Sequence, residues 1–281
     1  MTVIERAFRL ENASGEPIRC NLRRPEGAGP FPAVIVLHGF KGFKDWGMFP
    51  PTARRLAADG LATVAMNASR NGVGESLTEF TELESFARNT PGHEERDVRR
   101  VVDAIAGGEV DAALDAGRIG ILGHSFGGGV ALLAASRDER IRCVVTWAAL
   151  ATFDRYPERS KAQWREKGRL DVPNQRTGQI LWLDREVLED GERNRDAYDV
   201  RAASQRIRAP LLAVHGERDE AVDVQSATDI VEWAASAEKR ALVIPATGHT
   251  FGAVHPWAGP TPAWEEAVAA SSEWFRAHLA R

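Results

Sequence analysis

The chain has 281 residues, 43% hydrophobic and 27% charged, with a formal net charge of −4. That length can bury a large core and suits one large α/β domain or two small ones. The acidic balance leaves no basic stripe to neutralise phosphates, which argues against nucleic acid as a partner. The two cysteines, Cys20 and Cys143, read as small core residues of a reducing compartment, not as a disulfide framework. The opening Met1-Thr2-Val3-Ile4-Glu5-Arg6 lacks the apolar centre of a secretory signal. No apolar run is long enough to cross a bilayer. A soluble, cytoplasmic protein without internal repeats is expected.

In chain order, Ala7–Leu10 and Ile18–Arg23 read as strands of an opening antiparallel hairpin, joined by the turn Ser14-Gly15-Glu16-Pro17. Pro25–Pro32 reads as a loop. Ala33-Val34-Ile35-Val36-Leu37 is a continuous apolar run, the pattern of a strand buried on both faces of a parallel sheet. It ends in His38-Gly39-Phe40-Lys41-Gly42. Pro50–Asp59 reads as a helix closed by Gly60, and Leu61–Met66 as another buried strand. Asn71-Gly72-Val73-Gly74-Glu75-Ser76 lacks the spacing of a dinucleotide-binding loop and reads as a tight turn. Glu94–Ile105 places Val98, Val101, Val102 and Ile105 on one helical face. Its charges, Glu94, Glu95, Arg96, Asp97, Arg99 and Arg100, are expected on the solvated face. Gly107–Gly117 leads into an apolar strand at Ile119.

That strand runs into Gly123-His124-Ser125-Phe126-Gly127, followed by the Ala/Leu-rich segment Val130–Ser136. Gly-x-Ser-x-Gly between a strand and a helix is a nucleophile elbow. A strained turn presents the serine hydroxyl at the carboxyl edge of the sheet, before a helix N-terminus that favours developing negative charge. Ile141–Trp147 is the next strand. Ala148–Arg208 then breaks the rhythm without regular strand patterns, as a helical or irregular excursion over the sheet edge. Its Phe153, Tyr156, Trp164 and Trp182 serve either to line a pocket or to anchor it to the body. Pro210–Val214 resumes the sheet and ends in His215-Gly216-Glu217-Arg218-Asp219; Val224–Ala235 is a helix. Ala241–Ile244 is the last strand, leading to Gly248-His249-Thr250-Phe251, and Trp264–Leu279 is a closing amphipathic helix. This alternation calls for a parallel sheet with right-handed crossovers.

Ser125, Asp219 and His249 thus follow successive strands in the order Ser, Asp, His. A serine hydroxyl is a poor nucleophile at neutral pH, so a histidine must take its proton, and a carboxylate must fix that histidine's tautomer and orientation. Asp223, in the position of a helix cap, and Glu217 are the rival acids; His255 is the rival base. His38, His124 and His215 adjoin turns and read as structural or pocket-lining. His93 and His278 are expected to be exposed. The backbone N–H groups of Phe126, next to the serine, and Phe40, in the loop after the Ala33–Leu37 run, are the expected oxyanion donors. Phe43, Trp46, Trp147 and Trp182 are candidate pocket aromatics.

Over nearly its whole length the chain resembles the α/β-hydrolase superfamily, and within it the dienelactone hydrolase and serine aminopeptidase-like esterases. The resemblance rests on the His38–Gly42 loop, Gly123–Gly127, His215–Asp219 and Gly248–Phe251. It implies a mostly parallel central sheet flanked by helices, a triad of Ser125, Asp219 and His249, an oxyanion hole at Phe40 and Phe126, and a cap or lid inserted at 148–208. It implies no metal or organic cofactor; no membrane partner is expected, because no apolar run is long enough to cross a bilayer. Similar bacterial enzymes are carboxylesterases, some acting on feruloyl-type esters, so the expected partner is a small-molecule ester; a homodimer stays open. Dienelactone hydrolases proper use a cysteine nucleophile and haloalkane dehalogenases of this fold an aspartate, which disfavours both activities. A peptidase or amidase is the alternative, with Asp184, Glu186, Glu189 and Asp190 as candidate holders of a substrate amine. A non-catalytic binding protein is the third reading, and such proteins typically lose a triad member.

Overall fold

The computed structural model describes residues 2–76 and 79–280; Met1, the first residue of the opening stretch read above, lies outside them. β1 (Val3–Glu11) and β2 (Pro17–Pro25) form the expected antiparallel hairpin, longer at both ends. β3 (Phe31–Leu37), β4 (Ala62–Asn67), β5 (Leu114–His124), β6 (Ile141–Trp147), β9 (Leu211–Gly216) and β10 (Lys239–Ile244) continue the sheet in parallel. The eight-stranded order is β1-β2-β4-β3-β5-β6-β9-β10. β2 joins it antiparallel to β4.

The apolar runs explain the layering. Along β3, Ala33, Ile35 and Leu37 fall on one face of the sheet, and Val34 and Val36 on the other, so both faces need cover. One face receives Val98, Val101, Val102 and Ile105 of α3 (Pro91–Ala106), α4 (Phe126–Ala135), and Ala227 and Ile230 of α8 (Gln225–Trp233). The other receives Phe49 and Leu56 of α1 (Phe49–Ala58) and Trp264, Val268 and Phe275 of α9 (Pro262–Leu279). Cys20 in β2 and Cys143 in β6 are free and buried; burial pushes the Cys20 thiol up to about 12.

Three expectations need correction. α3 starts earlier than Glu94, where Thr90 caps it by accepting from His93 N–H and Pro91 takes the first turn. Its acids are not a solvated face: Glu94, Glu95 and Asp97 are buried. Glu95 pairs with Arg99 and Arg137, and Asp97 accepts from Ser69 N–H and Asn12 Nδ2. Helical periodicity marks which residues share a face; it does not reveal a polar loop packed on the opposite side.

The excursion between β6 and β9 also carries strands. It contains α5 (Glu158–Lys167), then an antiparallel ribbon of β7 (Arg169–Pro173) and β8 (Ile180–Asp184), then α6 (Arg185–Arg193) and α7 (Val200–Ser204). β7 alternates exposed and half-buried residues over five positions, too short a run beside so many charges to stand out in the sequence. A further short helix, α2 (Leu83–Ala87), was not legible either. Among the described residues no helix is long and apolar enough to cross a membrane.

Candidate active site

β5, β9 and β10 run parallel, so their carboxyl ends deliver Ser125, Asp219 and His249 to one edge of the sheet. Ser125 joins β5 to α4 with φ 56° and ψ −119°, a conformation that costs free energy in a residue with a Cβ. The turn is held from outside, because the Ser125 N–H donates to Trp147 O at 2.8 Å across to β6. Glycine is required at 123, where a Cβ would lie 2.2 Å from Gly127 O. The β3 loop comes equally close, since a Cβ on Gly39 would lie 2.9 Å from the Ser125 Cβ. That approach sets Phe40 beside Phe126, their ring centroids 6.2 Å apart. Among the described residues neither amide N–H of this pair is taken by a protein acceptor.

The Asp219 side chain is fully buried, and its Oδ2 accepts from His249 Nδ1 at 2.7 Å. Its Oδ1 accepts from the amides of Ala221 and Val222 at 2.8 and 3.0 Å. Burial by itself raises the pKa of this carboxyl. The hydrogen bonds from His215, His249 and Val222 outweigh burial and hold it far below the usual carboxylate range, so it is ionised. His249 keeps 24% of its side chain exposed. Its carbonyl accepts from His124 Nε2 at 2.9 Å, and the two rings lie 4.7 Å apart. Burial and the nearby His249 push the His124 imidazole down to about 3, so His124 is neutral. His38, pushed down to about 4 by burial, donates from Nδ1 to Gly39 O and steadies the β3 loop.

Sequence reasoning left His215 as a structural or pocket residue. In the structure it is fully buried and brings Nε2 to 3.0 Å from Asp219 Oδ2, the oxygen His249 uses, and 3.1 Å from Val222 O. The only available signal was its spacing, four residues before Asp219. The rivals are engaged elsewhere. Asp223 accepts from Gln225 N–H at the start of α8, Glu217 from Ala246 N–H, and His255 Nδ1 from Gly47 N–H while its ring stacks on Trp46. His93 and His278 are half-buried, not exposed: His93 lies against Thr90, and His278 packs on Trp274.

Ser125 and His249 line one cavity of about 490 Å³. The excursion supplies much of its wall, with Arg155, Tyr156, Leu170, Val172 and Pro173. Behind Phe40, Arg155 and Tyr156 lies a second cavity of about 460 Å³, where Phe126, Phe153, Trp164 and Tyr198 meet. Tyr156, Phe153 and Trp164 are therefore pocket residues. Trp182 instead packs under Arg169 and donates to Asp184. The other candidate aromatics do not reach either cavity. Phe43 is core, Trp46 packs on Phe49 and His255, and Trp147 is buried on Phe251 with its Nε1 donating to Ser271. Among the described residues no group of three or more His, Cys, Asp or Glu is placed to hold a metal ion.

The sequence profile described as alpha/beta hydrolase fold matches residues 32–195. The chain is 32% identical over 139 residues to an uncharacterized 31.7 kDa protein of the traX-finO intergenic region of Escherichia coli, covering 50% of this chain and 44% of that one. It is 28% identical over 211 residues to the 2,6-dihydropseudooxynicotine hydrolase of Paenarthrobacter nicotinovorans, covering 73% and 49%. The chain thus spans about half the length of these curated relatives. Among solved structures it superposes on Est1E from Butyrivibrio proteoclasticus with bound ferulic acid at a TM-score of 0.72 and 20% identity, over 98% of this chain and 100% of that one.

Proposed function

This chain belongs to the alpha/beta hydrolase fold family, and from that premise we propose that it hydrolyses small carboxylic esters through an acyl-serine intermediate. The observation that carries the reading is the Asp219–His249 hydrogen bond of 2.7 Å, with His249 and the strained Ser125 lining one cavity. With its Nδ1–H donating a hydrogen bond to the Asp219 carboxylate, neutral His249 has Nε2 as its acceptor nitrogen. In the proposed reaction that nitrogen takes the Ser125 proton as Oγ attacks the ester carbonyl. The amides of Phe40 and Phe126 receive the developing oxyanion, and the helix N-terminus at Phe126 favours the same charge. Collapse of the tetrahedral intermediate expels the alcohol, which takes its proton from His249. Water repeats the sequence to release the acid.

The segment 148–208 acts as a lid in this reading, which is supported by its Arg155, Tyr156, Leu170, Val172 and Pro173 lining the cavity that holds Ser125. The aromatic walls of the second chamber suit an aromatic acid or alcohol of the ferulic type. The amidase alternative has less support. Asp184, Glu186, Glu189 and Asp190 line neither chamber, and Glu189 and Asp190 are taken by Arg185 and by Tyr198 with Asn194.

Labelling with a fluorophosphonate probe tests the proposal. Intact mass and peptide mapping should show one adduct, on Ser125, in the wild type and none in His249→Ala. An unlabelled wild type whose circular dichroism shows it folded sinks the reading.

A further inference from the structure

Two cations line the cavity that holds Ser125, and neither has a carboxylate partner among the described residues. Lys41 follows Phe40 in the β3 loop, in a left-handed conformation with φ 58°. Its Nζ reaches across the cavity to Pro173 O at 3.1 Å. Arg155 comes from the excursion and lines the same cavity. Its guanidinium lies 5.1 Å from the Phe40 ring centroid and 5.3 Å from that of Tyr156, and donates to Tyr156 OH at 3.3 Å.

The acid on the same wall, Asp171, is bound to Arg169 at 3.0 Å. Arg19 and Arg24, by contrast, are paired, with Glu82 and Asp111. Lys41 is half-buried and Arg155 exposed where they line this apolar-walled cleft, and like charges there repel each other. Burial and the charge of Arg155 both lower the Lys41 pKa. Against the acidic balance of the chain, at −4, these two cations supply positive charge beside Ser125.

We propose that Lys41 and Arg155 form a carboxylate-binding subsite beside the nucleophile, and that the substrate is an ester carrying a second, ionised carboxylate. The inference rests on the esterase reading and narrows it. Phe40 and Lys41 are consecutive. The same short loop would therefore offer its amide to the ester oxyanion and its ammonium to the carboxylate, leaving the uncharged aromatic or aliphatic part for the second chamber. The carboxylate can belong to the acyl half, as in a monoester of a dicarboxylic acid, or to the alcohol half, as in a hydroxybenzoate ester.

Two matched pairs separate these sources. One is 4-nitrophenyl hydrogen adipate against methyl 4-nitrophenyl adipate; the other is 4-carboxyphenyl butyrate against its carboxamide. In at least one pair the wild type should favour the carboxylate by about tenfold in kcat/KM, the size of one charge-assisted hydrogen bond. Within that pair the ratio should fall toward one in Lys41→Met and in Arg155→Met, and in the wild type as salt is raised. The within-pair ratio is independent of any general loss of activity in a variant, and the salt series needs no variant.

Equal or reversed preference in both pairs overturns the subsite, as does a ratio that both substitutions leave unchanged. If neutral esters are cleaved and Ser125 takes the fluorophosphonate while no carboxylate preference exists, this inference fails alone. If no ester is cleaved and Ser125 stays unlabelled, the esterase reading fails and takes the subsite with it.

Discussion

At Asp219 a single carboxylate oxygen serves two histidines, His249 at 2.7 Å and His215 at 3.0 Å, while its other oxygen serves two amides. Four donors on one buried carboxylate leave it little freedom to rotate, and its direction fixes the imidazole of His249. His215 acts only through Asp219, so it is a positioning residue. His215→Leu should lower kcat by about 10- to 100-fold with little change in KM, the worth of one hydrogen bond to a buried charge. His215→Gln, whose Nε2 can occupy the same place, should restore much of that loss. Both variants should remain folded by circular dichroism. If Leu and Gln behave alike in a steady-state assay of the best ester, the role assigned to the His215 donor is wrong. Ser125, Asp219 and His249 were readable in the sequence as candidates because each follows a strand. The His215 contact was not, because a hydrogen bond between residues four apart across a turn depends on how that turn closes.

Among the elements, α3 shows where charge patterning misleads. Glu94 is buried with one partner, accepting from Asn89 Nδ2 at 2.7 Å, and burial pushes its carboxyl from 4.5 up to about 8. Between those values the folded chain holds a proton that the unfolded chain has lost. The stability Glu94 contributes is therefore complete below about pH 4.5 and is lost as pH rises through about 8. Glu94→Gln keeps the acceptor for Asn89 and cannot ionise. Its Tm should exceed that of the wild type by several degrees near pH 8.5 and match it near pH 4.5. Equal Tm shifts in thermal melts at the two pH values would show that ionisation of Glu94 is not the cause. The face bearing Val98, Val101, Val102 and Ile105 followed from spacing alone. The burial of Glu95 and Asp97 opposite it brings them to Arg137, Ser69 and Asn12, which come from distant parts of the chain.

For the whole molecule the division is between a sheet packed on both faces and an excursion that covers its carboxyl edge. The central strands β3, β4 and β9 are almost wholly buried, whereas the β7–β8 ribbon pairs only with itself. Local opening is easiest where few buried contacts must break. Native-state hydrogen exchange should find the amides of β3, β5, β6 and β9 slowest and those of β7 and β8 faster by orders of magnitude. Uniform protection across both sheets would mean that the excursion is no separate opening unit, and would weaken its reading as a lid.

The sequence by itself determined the parallel sheet, the succession of its main strands along the chain, and the three polar residues at its carboxyl edge. Those features are written in local terms: continuous apolar runs for strands buried on both faces, helical spacing between them, and a glycine on each side of Ser125. Only the tertiary structure decided what meets over the edge. It brought Arg155 from the excursion and Lys41 from the β3 loop to one cavity, set His215 against Asp219, made a pocket of Phe153, Tyr156 and Trp164, and buried the acids of α3. Each of these is a contact between segments whose separate patterns carry no record of the other, because side-chain packing selects the partner only after the sheet has placed both.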